Sequence, residues 1–436
     1  MCVGWALRIA CMVGSGLCTI GSQATKLMKQ DVKLAYGIMV LFYSLFLMLI
    51  LYYLASYLKF ANSFIGCPTG SDIILNTCLG MSAVYRMSFV LAIVHVLVGL
   101  SCLTRDKFAK IVNEGLWGFK MILTAGGFFG TLFISNDFFD SYAKASIYLS
   151  GVFLFVQAVS LIDGFYLWAG FWAKKYDDGN GCYGCLLIFT SLLQYALVGF
   201  FAYHGYSKFW VEGCSGNKLM LITPMIFVFA FFVLIVLKFH PHGSILTSGA
   251  ISIFGVYLFW ATLVSNNNTT CNSQYSSPSA MLLQIFFSFF FAFSCNIYWA
   301  LITQSSDAYK QAQLPEVAAT DGDKEIADKT EKENEAKAGN QNTNLIRRDD
   351  TAEQYVEYEN NSYIKFHGFM ILFSVYICAV FSNWGHATIN GGSYNFKGDS
   401  SSAPYYIKAS VGIFTFGLYL WTVIAPTLFP DRDFQT

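Results

Sequence analysis

Ten apolar runs alternate with short polar stretches along the chain. They are Leu34–Leu58, Val84–Leu103, Gly115–Ser135, Ala143–Ala173, Tyr183–Tyr203, Leu219–Leu237, Ile245–Val264, Ala280–Ile302, Tyr363–Ser382 and Tyr406–Pro426. Each is about 20 residues or longer, the length a helix needs to cross a bilayer. Helices satisfy their own backbone groups, as lipid demands. Tyr52, Tyr53, Trp117, Trp168, Trp172 and Trp384 stand near run ends, where aromatic side chains anchor spans at the interface. The pattern therefore predicts an all-α polytopic integral membrane protein. The run Ala143–Ala173 is exceptional. As one helix its 31 residues rise about 46 Å, against a hydrocarbon core of about 30 Å. It also carries an acid, Asp163, deep in apolar sequence, where a charge is costly without a partner or a polar cavity.

Residues 1–33 are a weaker segment, interrupted by Arg8 and several glycines, and read as membrane-associated rather than as a cleaved leader. Residues 34–303 hold the first eight spans and 363–436 the last two with a short tail. Between them, 304–362 is a charged loop. Residues 304–357 with Glu359 hold 21 of the 54 charged side chains, 14 acids and seven bases. Aromatics are absent from Gln311 to Gln354, so the loop cannot bury enough apolar surface to fold and is expected to be disordered.

Charge adds orientation. With the N-terminus cytosolic, Arg105, Lys107, Lys110, Lys174, Lys175 and Lys238 fall in inner loops, and 265–279 on the outer side has no basic residue. Both termini are then cytosolic, in a membrane of the secretory pathway. The loop cysteines Cys67, Cys78, Cys214 and Cys271 lie on the oxidising side. We expect Cys67 to pair with Cys78 and Cys214 with Cys271, with the other pairings left open by sequence. Sequons at Asn267 and Asn268 fall on the same side, whereas that at Asn360 falls in the cytosolic loop.

Candidate chemistry is sparse. Zero net charge suggests no nucleic-acid partner, and no HExxH, GxSxG or P-loop motif is present. No catalytic residue, metal or cofactor is expected, so the chain is read as a non-enzyme. Cys182 and Cys185 form a CxxC without a redox context, and the six histidines look scattered. Intramembrane charges are the default functional candidates. Lys120 and Asp163 lie on adjacent antiparallel spans, both in the inner half, and are expected to pair; the alternative is that Lys120 reaches lipid phosphate. Arg86 is expected near the outer face, holding a lipid phosphate or capping the bundle against Asp137 or Asp140. Gln157, Gln194, Gln284, Asn296 and Asn383 read as interhelical hydrogen-bonding residues.

Several blocks resemble the serine incorporator family: AVYRMSFVLA (83–92), EGLWGFKMILTAGGFF (114–129), SLIDGFYLW (160–168), SGAISIFGVYLFWATLVSN (248–266) with Cys271-Asn272, and YLWTVIAPTLFPDRDF (419–434). They occur in the family's order and span nearly the whole chain. The chain departs from the family at its N-terminus, where a cysteine-rich start is reduced to Cys2, Cys11 and Cys18. The resemblance implies ten spanning helices in two bundles, separated by a long diagonal helix corresponding to Ala143–Ala173. It also implies lipid handling, linked to phosphatidylserine and sphingolipid synthesis or to ATP-independent phospholipid scrambling. Membrane phospholipids are then the expected partners, with serine or lipid synthases as further ones and a homo-oligomer left open. The alternatives are a non-enzymatic carrier or scaffold supplying serine to lipid synthases, and a small-solute transporter.

Overall fold

A computed structural model describes residues 32–104, 107–237, 244–275, 277–313, 362–389, 392–395 and 402–429. The helices are α1 Val32–Leu49, α2 Asp72–Ser101, α3 Lys107–Glu114, α4 Trp117–Gly130, α5 Asn136–Asp177, α6 Gly181–Phe209, α7 Ser215–Val236, α8 Ile245–Val264, α9 Pro278–Gln313, α10 Ser362–Phe381 and α11 Ala403–Leu428. A short antiparallel hairpin, β1 His386–Ile389 with β2 Gly392–Asn395, pairs His386 with Asn395 between α10 and α11. Among the described residues, nine helices are long and apolar enough to cross a membrane, or ten if the bent α3–α4 pair is one span.

The apolar runs locate the helices, and the helices depart from them at the ends. The run Ile245–Val264 and α8 coincide. The run Leu34–Leu58 does not stay α-helical: α1 stops at Leu49, widens into a π turn at Ile50–Leu54 and then tightens to a 3₁₀ run at Ala55–Ala61. Helix α2 begins at Asp72, so Arg86 lies inside a 30-residue helix instead of near its start. The long run is longer still, since α5 has 42 residues and rises about 63 Å. The third run is not one helix. The chain turns by 72° between α3 and α4. Leu116 at the bend is left-handed at φ 57°, and a Cβ on Gly115 would lie 2.8 Å from the Ile111 carbonyl oxygen. A bulky residue at positive φ is unusual, and Gly115 gives it room.

The chain forms two compact units, and neither is a run of consecutive spans. Unit 1 comprises Met1–Tyr36, Val94–Ile122 and Trp299–Phe369; unit 2 comprises Gly37–Ile93, Leu123–Tyr298 and Met370–Thr436. At the centre of unit 2 stands α8, packed by α5, α6, α7 and α11. Every residue from Leu246 to Val264 is buried, the signature of a helix apolar all round. Its small residues admit close neighbours: a Cβ on Gly255 would collide with the Phe416 ring of α11. The outer helices do the opposite. Ile226 and Phe229 on α7 and Phe189 and Leu192 on α6 are exposed. Apolar surface of that extent is the surface of a protein solvated by lipid.

Both expected disulfides are present, Cys67–Cys78 with Cα atoms 5.9 Å apart and Cys214–Cys271 at 5.8 Å. The first lies in a small apolar cluster with Ala61, Ile65, Leu75 and Leu79. Asn360 and most of the charged loop, 314–361, lie outside the described residues, as does the segment 1–31.

Candidate functional site

The break between α3 and α4 builds the polar centre of unit 1. A helix end leaves carbonyls without intrahelical partners. At the end of α3, the Asn113 carbonyl accepts the Lys120 ammonium at 2.8 Å and the Tyr36 hydroxyl at 3.1 Å, and the Glu114 carbonyl accepts the Trp117 indole N–H at 2.9 Å. The Lys120 ammonium also sits over the Trp117 ring at 4.2 Å and the Tyr36 ring at 4.7 Å. A cation at a helix C-terminus meets its partial negative charge, so one contact answers both the orphan carbonyl and the buried ammonium.

The Asn113 side chain extends this centre. Its amide nitrogen donates to the Ala109 carbonyl at 2.8 Å and to Cys102 Sγ at 3.1 Å, which uses both hydrogens. Its Oδ1 must therefore accept from His367 Nε2 at 2.8 Å. That places the proton of neutral His367 on Nε2 and leaves Nδ1 to accept from His95 Nδ1 at 3.1 Å. His95 Nε2 is left bare and buried, with no hydrogen-bond partner among the described residues. Lys33 Nζ donates to Ser362 Oγ at 2.9 Å and lies over the Tyr363 ring. Five helices thus contribute to one buried polar cluster. The sequence reading missed all of it except Lys120. The signal was available, because His95 and His367 lie inside apolar runs, where any ionisable residue is conspicuous.

In unit 2, Arg86 is buried. It donates to Ser82 one turn earlier, to the Thr131 carbonyl at 3.4 Å and to Asn136 Oδ1 at 2.8 Å, and stacks on Phe139 at 4.3 Å. Thr131 begins the 3₁₀ turn Thr131–Phe133 that ends α4, so this cation too is placed at a helix C-terminus. No carboxylate is among its partners in the described residues. The expected cap against Asp137 or Asp140 is made by neutral oxygens instead, since carbonyls at a helix end offer negative charge without an acid having to be desolvated as well. Asn136 also donates to the Ile65 carbonyl, tying Arg86 to the segment before Cys67.

Asp163 is also in unit 2, whereas Lys120 belongs to unit 1. The Asp163 carboxylate is exposed on α5 and receives a short hydrogen bond from the Tyr298 hydroxyl of α9. The next residue, Gly164, permits this approach: a Cβ there would lie 3.1 Å from the Tyr298 ring. Asn267 and Asn268 follow α8. Asn268 is exposed, and its Oδ1 accepts the Thr270 N–H at 3.0 Å, whereas the Oδ1 of Asn267 is buried.

Together, the lipid-facing helices and the intramembrane charges satisfied at helix ends define a polytopic integral membrane protein. The sequence profile of the serine incorporator family (Serinc) matches residues 10–432. The chain belongs to that family. It is 26% identical over 386 residues to a probable serine incorporator of Nematostella vectensis, covering 83% of this chain and 82% of the relative. It is 25% identical over 398 residues to serine incorporator 3 of Mus musculus, covering 82% and 80%. With serine incorporator 2 of Homo sapiens it shares 25% identity over 406 residues, covering 85% and 83%.

Proposed function

We propose that this protein moves phospholipid headgroups across the bilayer without ATP and without a covalent step. The observation that carries this reading is Asp163. It is the twenty-eighth residue of the 42-residue helix α5, about 21 Å from the helix's C-terminal end, yet its carboxylate is exposed and its one partner among the described residues is the Tyr298 hydroxyl. An acid held at that depth with open coordination suits the ammonium of a passing headgroup, while the acyl chains stay in lipid. Both termini face the cytosol in this reading, and the membrane belongs to the secretory pathway.

Proteoliposomes carrying a leaflet-restricted fluorescent lipid and quenched with dithionite test it. With protein present, the protected inner-leaflet fraction is expected to bleach; Asp163→Ala is expected to slow that phase about tenfold or more. Equal bleaching with and without protein rejects lipid movement. The rival reading, a carrier or scaffold that supplies serine to lipid synthases, rests on the family's name. It expects changed serine labelling of phosphatidylserine and sphingolipids at an unchanged flip rate.

A further inference from the structure

Another buried cation is held differently from Arg86 and Lys120. Lys408, six residues into α11, is buried. Arg86 and Lys120 reach backbone carbonyls, but Lys408 Nζ donates at 2.6 Å to the hydroxyl of Ser265, the residue that ends α8. That hydroxyl spends its own proton on the Ala261 carbonyl at 2.9 Å, so it can only accept from the lysine. The remaining contact of the ammonium is the face of the Trp384 ring at 4.7 Å. No carboxylate is among its partners in the described residues. The end of α8 supplies roughly half a negative charge, which leaves the rest of the cation unmatched.

The turn that carries Trp384 is strained and incompletely bonded. Asn383 and Trp384 are both left-handed, at φ 46° and 57°. Non-glycine residues at positive φ are uncommon and gather at ligand clamps. The Trp384 indole N–H is buried with no acceptor among the described residues. Gln284 of α9 donates to Asn383 Oδ1 of this turn at 2.8 Å, while its own Oε1 is buried with no donor among the described residues. An ammonium short of negative charge and an orphan donor thus share one ring, and an orphan acceptor sits on the side chain bonded to the neighbouring Asn383. Unmatched buried groups of this kind are rare and costly.

We propose that Lys408, Trp384 and Gln284 bind a phosphate oxyanion. A tetrahedral oxyanion presents several acceptor oxygens, so one ion answers both Lys408 and the Trp384 N–H. Gln284 Oε1 then accepts from an O–H or N–H of the same ligand: the P–OH of inorganic phosphate, or the amine or hydroxyl of a phospholipid headgroup. Ser265 adjoins the loop that begins at Asn266, and Lys408 is the sixth residue of α11, so the cluster stands at the level of helix ends, where headgroups lie. It deepens the headgroup reading above, but it can fail while that reading stands.

Full-length protein in a phosphorus-free detergent separates the two sources. One arm titrates inorganic phosphate by calorimetry. The other loads the protein from vesicles of phosphatidylethanolamine or of phosphatidylcholine and assays the phosphorus retained after detergent exchange. Binding in at least one arm is expected, with phosphatidylethanolamine retained better than phosphatidylcholine if the ligand is a headgroup, because choline has no N–H for Gln284. Trp384→Phe, which keeps an aromatic face but deletes the N–H, and Lys408→Gln are each expected to weaken that binding about tenfold. Lys408→Arg is expected to restore most of it. Phosphate binding without lipid retention assigns the free ion; the reverse assigns the headgroup. No binding in either arm, or binding unchanged in Trp384→Phe, overturns the site even if Lys408→Gln does not fold. Dithionite bleaching of the same preparations reports lipid movement separately, so loss of one does not count against the other.

Discussion

His95 and His367 meet nitrogen to nitrogen, Nδ1 to Nδ1 at 3.1 Å, although 272 residues separate them in sequence. The contact is directional, because Asn113 has already assigned the His367 proton to Nε2. His367→Phe would leave Asn113 Oδ1 and the His95 N–H without partners. We expect it to cost about 2–5 kcal/mol, whereas His367→Gln, which can donate to Asn113, should cost less. Thermal unfolding of the detergent-solubilised protein measures the difference. Equal melting of the two variants would remove Asn113 from the argument.

Close packing at the centre of unit 2 gives a second expectation. Gly255→Ala drives a methyl into the Phe416 ring and should destabilise by about 1–3 kcal/mol. Phe416→Leu removes the obstructing ring. The double variant should therefore be more stable than the sum of the single costs predicts. Strict additivity in melting measurements would contradict the contact.

Tyr298→Phe removes the hydroxyl that holds Asp163. If that hydroxyl positions the carboxylate for headgroups, Tyr298→Phe and Asp163→Asn should be non-additive in lipid movement, with the double variant close to the slower single. Multiplicative effects on the bleaching rate would mean that the two act independently.

The two overlapping sequons are not equivalent. Asn268 is exposed, with its side chain folded onto the Thr270 N–H, whereas the Asn267 side-chain oxygen is enclosed. Glycan is expected at Asn268. Thr270→Ala, which destroys only the Asn268 sequon, should abolish the endoglycosidase-sensitive gel shift, and Asn267→Gln should preserve it. The opposite pattern would assign the glycan to Asn267.

Disulfide loss should scale with the chain each bond closes. Cys67–Cys78 spans 11 residues and Cys214–Cys271 spans 57, which correspond to about 3 and about 4 kcal/mol in the loop-entropy account. Serine pairs at each site, followed by thermal unfolding, should show the larger loss for the second. The reverse order would mean that local packing around Cys67, not loop closure, dominates.

Much of the architecture was legible in the residue pattern. A 20-residue apolar run forces its own helix, because lipid leaves backbone groups no other partner. Residues 245–264 came out unchanged for that reason. The disulfides were legible because the four loop cysteines lay on one side of the expected topology. Lys120, Arg86 and Asp163 were conspicuous as charges, but their partners were not. Lys120 and Arg86 went to carbonyls freed at helix ends, and no residue type marks a freed carbonyl.

Run length and hydrophobicity set the class of this protein, the place of most of its spans, and which charges must be answered inside the membrane. Hydrophobicity and length act locally, so they can be read residue by residue. How those charges are answered was settled by packing between distant segments. The left-handed Leu116 breaks the third span and exposes the Asn113 carbonyl, and the fold then delivers Tyr36, Lys120 and His367 to that residue from separate helices. Buried polar groups take the nearest unmatched partner, and which partner is nearest depends on how distant segments pack.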